Sequence, residues 1–164
     1  TDTGCFQYSN TTADTHRVAA ALMDTGIDVF PLNKRHFRTK SWARLQVERL
    51  LTERMHRYEG GKIAVAPVSL SLMDEAGATE EDMEDIAAFL GQIEGVETSV
   101  TIRELAEGGC KLSVRTSGGL NATKVCARLG GGGHAAAAGC TVSGTLVEAE
   151  AAILDAIRQV EARA

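Results

Sequence analysis

The segment Leu129 to Gly139, LGGGGHAAAAG, constrains this chain more than any other. Gly130 to Gly133 carry no side chains, so their backbone can take positive φ and approach a ligand or another chain segment closely. Successive N–H groups in such a turn can form an anion-binding concavity. His134 follows directly and supplies a ring that can donate to a phosphate. Ala135 to Ala138 leave room for a bulky group. If they open a helical turn, its N-terminus adds a dipole favourable to negative charge. Glycine runs are also ordinary linker material, so a flexible loop is the competing reading. The position of this run between a capped helix and a strand, with histidine next to it, keeps anion binding beside that alternative.

The flanking periodicity predicts a small α/β domain from Lys62 to Ala164. Lys62–Leu70 reads as a strand rich in Ala, Val and Ile. Thr79, with Asp82 three residues on, predicts a capped helix whose stripe is Met83, Ile86, Ala87, Leu90 and Ile93. Glu97–Leu105 and Lys111–Thr116 read as strands of a hairpin turned through Gly108 and Gly109. Asn121 predicts a cap on a short helix carrying Ala122, Val125, Cys126 and Leu129. Cys140 and Val142 suggest another strand, and residues 146–160 a final amphipathic helix. Strands alternating with helices imply a sheet covered by helices.

Upstream, Asp14 is expected to cap a short helix bearing Val18, Ala19, Leu22 and Met23, ended by Gly26. Ile27, Val29 and Phe30 look extended. This stretch, 1–31, is too small to bury its own face and is expected to belong to a larger domain. A helix from Ser41 through Tyr58, with Val47, Leu51, Met55 and Tyr58 on one stripe, is expected to connect it, as residues 32–61, to the domain of 62–164.

Composition bounds the function. The chain has 164 residues, 44% apolar and 24% charged, the mix of a globular domain. No apolar run approaches the roughly 18 residues of a membrane span. Net charge is −5, which argues against a broad surface coating long nucleic acid but not against a pocket for one or two phosphates. The basic stretch from Lys34 to Arg57 reads either as a solvated helix face or as a positive wall beside a cleft. Cys5, Cys110, Cys126 and Cys140 form no CxxC pair and no zinc spacing. They are expected to be reduced, which suits a cytoplasm.

Several segments together resemble a known family. GGGGHAAAAG resembles the GGGH-x-x-AAG motif of the DHHA1 domain, which follows the DHH catalytic domain in many phosphoesterases. KLSVRTSGGLNATKVCARL and EDMEDIAAFLGQIEGVETSVTIREL are similar to the elements leading into that motif. TDTGCFQYSNTTADT resembles the last motif of the DHH domain. The subgroup it looks most like is the bacterial nano-RNases that also dephosphorylate 3′-phosphoadenosine 5′-phosphate (pAp).

The resemblance implies a DHHA1 substrate-binding domain preceded by a connector and a remnant of the DHH domain. It implies two manganese ions in the parent enzyme, with Asp2 of TDTG as one ligand; by itself Asp2 reads as a turn residue. It gives Arg115 of SVRT a phosphate contact, where the plain reading is a strand arginine facing water. It gives Gly131, Gly132, Gly133 and His134 the phosphate loop. Thr116 and Ser117 are candidate hydroxyl contacts. Gln7 departs from the basic residue that relatives often carry.

No DHH triplet occurs in the sequence, and one carboxylate cannot build a two-metal site. The fragment alone is therefore expected to be inactive. Expected partners are short oligoribonucleotides or phosphorylated nucleotides and the remainder of the DHH domain, with no membrane; a homodimer stays open. Two alternatives remain. One is a nucleic-acid-binding module without hydrolytic role, like the related domain appended to alanyl-tRNA synthetases. The other is a structural or dimerising domain.

Overall fold

A computed structural model describes residues 3–8, 10–84 and 86–162. The chain forms two compact units, 1–41 and 42–164.

In the first unit, α1 (Ala13–Asp24) is capped by Thr12 rather than by Asp14, in a capping box with Thr15. Asp14 instead pairs with Arg17 on the helix surface. Helix α1 buries none of its residues, as expected of a stretch too small to cover its apolar face. Gly26 follows it at φ +87°. The extended piece expected at 27–30 is instead the short helix α2 (Val29–Asn33), because the Asp28 side chain accepts from the Phe30 amide and starts a helical turn.

The second unit opens with α3 (Trp42–Arg54), followed by β1 (His56–Tyr58). The expected helix through Tyr58 therefore stops at Arg54. Val47 and Leu51 are buried, whereas Tyr58 lies in a strand and its hydroxyl donates to Glu150 Oε1 at 2.8 Å. Helix α3 packs on the sheet of this unit through Val47, Leu50 and Leu51. Its arginines are matched by carboxylates. Arg44 pairs with the buried Glu48, Arg49 with Glu53, and Arg54 with Glu75. For Arg49 and Arg54 the solvated-face reading holds, whereas the Arg44 side chain is largely buried between Glu48 and the carbonyls of Asp82 and Glu84.

The remaining elements are β2 (Ile63–Val68), α4 (Leu70–Ala76), α5 (Ile86–Leu90), β3 (Thr98–Glu104), β4 (Cys110–Thr116), α6 (Ala122–Ala127), β5 (Gly132–His134), β6 (Ala137–Val142) and α7 (Leu146–Glu161). The strands form one mixed sheet in the order β1-β2-β3-β4-β6-β5, with β2 and β3 parallel and the other neighbours antiparallel. This is the α/β architecture expected, a mixed sheet covered by helices.

The period of two along each strand divides the core. Val65, Val100, Ile102, Leu112 and Val114 meet α6 and α7 on one face. Ala64, Ala66 and Val68 meet α3, α4 and α5 on the other. The helix expected from Thr79 is broken. A 3₁₀ turn (Glu81–Met83) and α5 are separated at Glu84, whose ψ is 136°. Asp82 accepts from the Thr79 amide and hydroxyl, while the carbonyls of Asp82 and Glu84 accept from the Arg44 guanidinium. Met83, Ile86, Ala87 and Leu90 are nevertheless buried as the stripe requires.

Asn121 caps α6 by accepting from the Lys124 amide, as expected. Thr145 caps α7 with Glu148 in a capping box. Hydrogen bonds from the Thr145 amide and hydroxyl hold the Glu148 carboxyl below the usual range. A depressed carboxyl stabilises the fold above its unfolded value of about 4.3, and that contribution is lost as pH falls through the folded value. Thr145→Ala is expected to lower the unfolding midpoint through the lost cap, a change of about 1 kcal/mol. The same variant should raise the Glu148 titration by NMR only in part, because it loses the hydroxyl contact and keeps the backbone amide that is the larger cause. An unchanged unfolding midpoint would contradict the capping account.

Candidate functional site

Strand register, rather than loop shape, organises the site. In the hairpin Gly132–Val142, His134 pairs with Ala137 and Gly132 with Gly139. Ala137 pairs in turn with Arg115 on β4, and Arg115 with Ser99 on β3. Directly opposed residues of antiparallel strands project to the same face. Arg115, Ala137 and His134 therefore form one row. The outer two are separated by two strand spacings, roughly 10 Å between Cα atoms.

The two polar ends of the row are available. Arg115 is half-buried and His134 exposed. Arg115 Nη1 donates to the Val114 carbonyl at 3.2 Å. Among the described residues, neither side chain joins an ion pair. A guanidinium has five donors in a planar fork, so one backbone contact leaves it able to grip an oxyanion. The neighbouring row is Ser113, Gly139 and Gly132. Its two glycines give a floor without side chains beside Arg115 and His134.

The glycines act differently from a cradle. Gly132–His134 is an extended edge strand, and no helix begins at Ala135. In extended backbone successive N–H groups point in opposite directions, so they cannot converge on one anion. A Cβ on Gly131 would fall 2.2 Å from the Gly139 carbonyl oxygen and 2.4 Å from Cys140 Cβ. A Cβ on Gly133, at φ +144°, would lie 2.6 Å from the Ala137 carbonyl oxygen. These two glycines let β5 lie against β6. A Cβ on Gly132 would meet nothing within 4 Å, so this residue faces open space. It is the glycine that a ligand could approach.

Thr116 is placed with its side chain on the opposite face from Arg115, one residue on along β4. Its hydroxyl donates to the Ala135 carbonyl at 3.2 Å and its amide to the Ala136 carbonyl at 3.0 Å. The Ala122 amide also donates to Ala135 at 2.8 Å. Thr116 thus anchors the turn that carries His134 and does not join the row. The Ser117 amide and hydroxyl both turn to the Glu97 carbonyl. Asp2, the expected metal ligand, lies outside the described residues. Ala137 and Gly139 fall in the Ala-Ala-Gly end of the glycine–histidine motif without being singled out there as site residues, and the strand period of two, counted from Arg115, points to Ser113.

Beneath the site, Cys126 on α6 and Cys140 on β6 are buried and unbridged. Their mutual hydrogen bond, then burial, pushes the Cys126 thiol up, which suits packing rather than nucleophilic chemistry. A cavity of about 690 Å³ lies on the α6–α7 side, lined by residues including Lys62, Glu97, Lys124 and Arg128 but by neither Arg115 nor His134. Lys62 and Glu97 neutralise one another there at 3.2 Å. Among the described residues, no group of three or more His, Cys, Asp or Glu side chains could hold a metal ion, and no helix is long and apolar enough to cross a membrane.

Residues 60–162 match the family described as the DHHA1 domain. Over its whole length the chain is 40% identical to a bifunctional oligoribonuclease and PAP phosphatase of Thermus thermophilus. It spans 49% of that relative, about half its length. Among solved structures, an exopolyphosphatase-related protein from Bacteroides fragilis superposes with a TM-score of 0.88 at 25% identity, covering 96% of this chain and 46% of that one. A pGpG-specific phosphodiesterase from Vibrio cholerae shares the fold, with a TM-score of 0.56 at 14% identity over 94% of this chain and 53% of that one.

The close approach of β5 to β6 generates a prediction. Gly131→Ala should destabilise the chain by about 1–3 kcal/mol through overpacking, whereas Gly132→Ala should change stability by less than about 0.5 kcal/mol. Urea denaturation of the two variants checks this. Equal losses would contradict the assigned roles.

Proposed function

This chain belongs to the DHHA1 domain family of DHH/DHHA1 phosphoesterases, and on that premise we propose that it is the substrate-binding part of an enzyme hydrolysing short oligonucleotides or phosphorylated nucleotides. The observation that carries the reading is the shared row of Arg115 and His134 across β4, β6 and β5. In this reading a terminal phosphoryl group lies over Ala137. The Arg115 fork donates to it from one side and the His134 ring from the other, charge-assisted contacts that fix position as well as affinity. Gly132 and Gly139 leave room beside it for the sugar. Holding the terminal group fixes where the scissile ester lies, which is how a binding domain contributes to rate. The name of the Thermus thermophilus relative, which pairs oligoribonuclease with PAP phosphatase activity, supports this substrate class.

The described residues do not provide a metal centre. The two manganese ions of our reading would be held by other ligands, with Asp2 as the one contributed by this sequence. The chain by itself is then a binder. No manganese-dependent hydrolysis of a diribonucleotide is expected from the purified chain, and measurable turnover by chromatographic assay would contradict this.

Calorimetric titration with pAp and with a short 5′-phosphorylated RNA tests the binding role. Arg115→Ala and His134→Ala should each weaken binding at least about tenfold, the range of hydrogen bonds to charged groups. A shallow dependence on salt is expected, since few phosphates are contacted. Binding unaffected by both substitutions would support a purely structural domain. A steep salt dependence would instead favour a module that binds nucleic acid along its length.

A further inference from the structure

A second row of residues runs beside Arg115, Ala137 and His134. Across the sheet it reads Thr101 on β3, Ser113 on β4, Gly139 on β6 and Gly132 on β5. Directly opposed residues share a face, and Ser113 lies two residues before Arg115 on that face, at about 7 Å. Exposure rises along the row. Thr101 is buried, Ser113 and Gly139 are half-buried, and Gly132 is exposed. A Cβ on Gly132 would meet nothing within 4 Å, and one on Gly139 would meet the Leu112 carbonyl oxygen at 3.0 Å. The outer half of the row is thus a shelf of bare backbone, and Ser113 is the first side chain reached on passing inward along it.

The Ser113 hydroxyl differs from its neighbours. Ser99, opposite Arg115 on β3, donates to the Ala87 carbonyl at 3.0 Å. Thr116 donates to the Ala135 carbonyl and Ser117 to the Glu97 carbonyl. Among the described residues the Ser113 hydroxyl has no such partner, and its oxygen is not sealed in the core. A hydroxyl both donates and accepts, so it can pair with a group that does the same. In a nucleotide phosphorylated at both its 5′ and 3′ positions, the 2′-hydroxyl is the one free hydroxyl of the sugar. That group is also what separates RNA from DNA.

We propose that Ser113 is the residue by which this site distinguishes ribose from 2′-deoxyribose, its hydroxyl pairing with the 2′-hydroxyl of the sugar attached to the phosphate at Arg115 and His134. The inference rests on the function proposed above and deepens it by naming a specificity determinant. The bare shelf of Gly139 and Gly132 admits the sugar, and Ser113 stands at its inner edge.

Calorimetric titration of the full 164-residue chain with pAp and with its 2′-deoxy analogue tests this. The parent should bind pAp about three- to tenfold more tightly than the analogue, the range of one neutral hydrogen bond. Ser113→Ala should weaken pAp by about that factor while leaving the analogue within about twofold, so that the preference disappears. Undiminished binding of the analogue also shows that the variant is folded and its phosphate anchor intact. Ser113→Thr, which keeps a hydroxyl and suits a strand, should retain a preference for pAp. Equal weakening of both ligands by Ser113→Ala, a preference that survives it, or no preference in the parent would each overturn the assignment. Arg115→Ala separates this inference from the function it rests on. Weakening of both ligands alike supports the anchor whatever Ser113 does, whereas unchanged binding of both means that the anchor itself fails and the sugar contact with it.

Discussion

Everything at the candidate site depends on the hydrogen-bonded register that joins β4, β6 and β5. Arg115 and His134 are nineteen residues apart in the chain, yet they face one another because Ala137 pairs with both. That pairing depends in turn on backbone approach. A side chain at Gly131 or Gly133 would collide with β6, and a shift of one residue would send His134 to the other face. The glycines thus act through strand geometry, and that geometry aligns the Arg115 and His134 side chains.

A second set of contacts holds the row in place from behind. The Thr116 amide and hydroxyl, with the Ala122 amide, secure the carbonyls of Ala135 and Ala136. The Gly131 amide donates to the Cys126 carbonyl at 2.8 Å. The buried side of β4 and β6 meets α6 and α7 through Leu112, Val114, Cys126 and Ile153. The site thus stands on a strand pair with a packed reverse face, and the turn bearing His134 is held by three hydrogen bonds. Pre-organisation of this kind lowers the entropy lost when a small anionic ligand binds.

Much of the fold is legible in the sequence because short strands and capped helices carry local signals. Asn121, Gly108 and Gly109 mark their elements directly, and the alternation in β4 separates Leu112 and Val114 from Ser113 and Arg115. Sequence and structure part where local patterns are overridden. The stripe from Val47 to Tyr58 spans a helix and a strand because both ends of it pack against the sheet, on opposite faces. The helix expected from Thr79 breaks at Glu84, where Arg44 takes the backbone carbonyls. At the site, Arg115 and His134 are identified by resemblance. The extended state of Gly132–His134 is not legible, because a glycine run gives no periodicity from which to tell a loop from an edge strand. The row of Thr101, Ser113, Gly139 and Gly132 joins residues of four strands, a proximity that no single segment encodes.

A crystal structure of this chain with pAp bound tests the central claim most directly. The account predicts a terminal phosphoryl group above Ala137, with its oxygens within hydrogen-bonding distance of both the Arg115 guanidinium and the His134 ring. Phosphate found instead in the cavity beside Lys124 and Arg128, with Arg115 and His134 untouched, would contradict it.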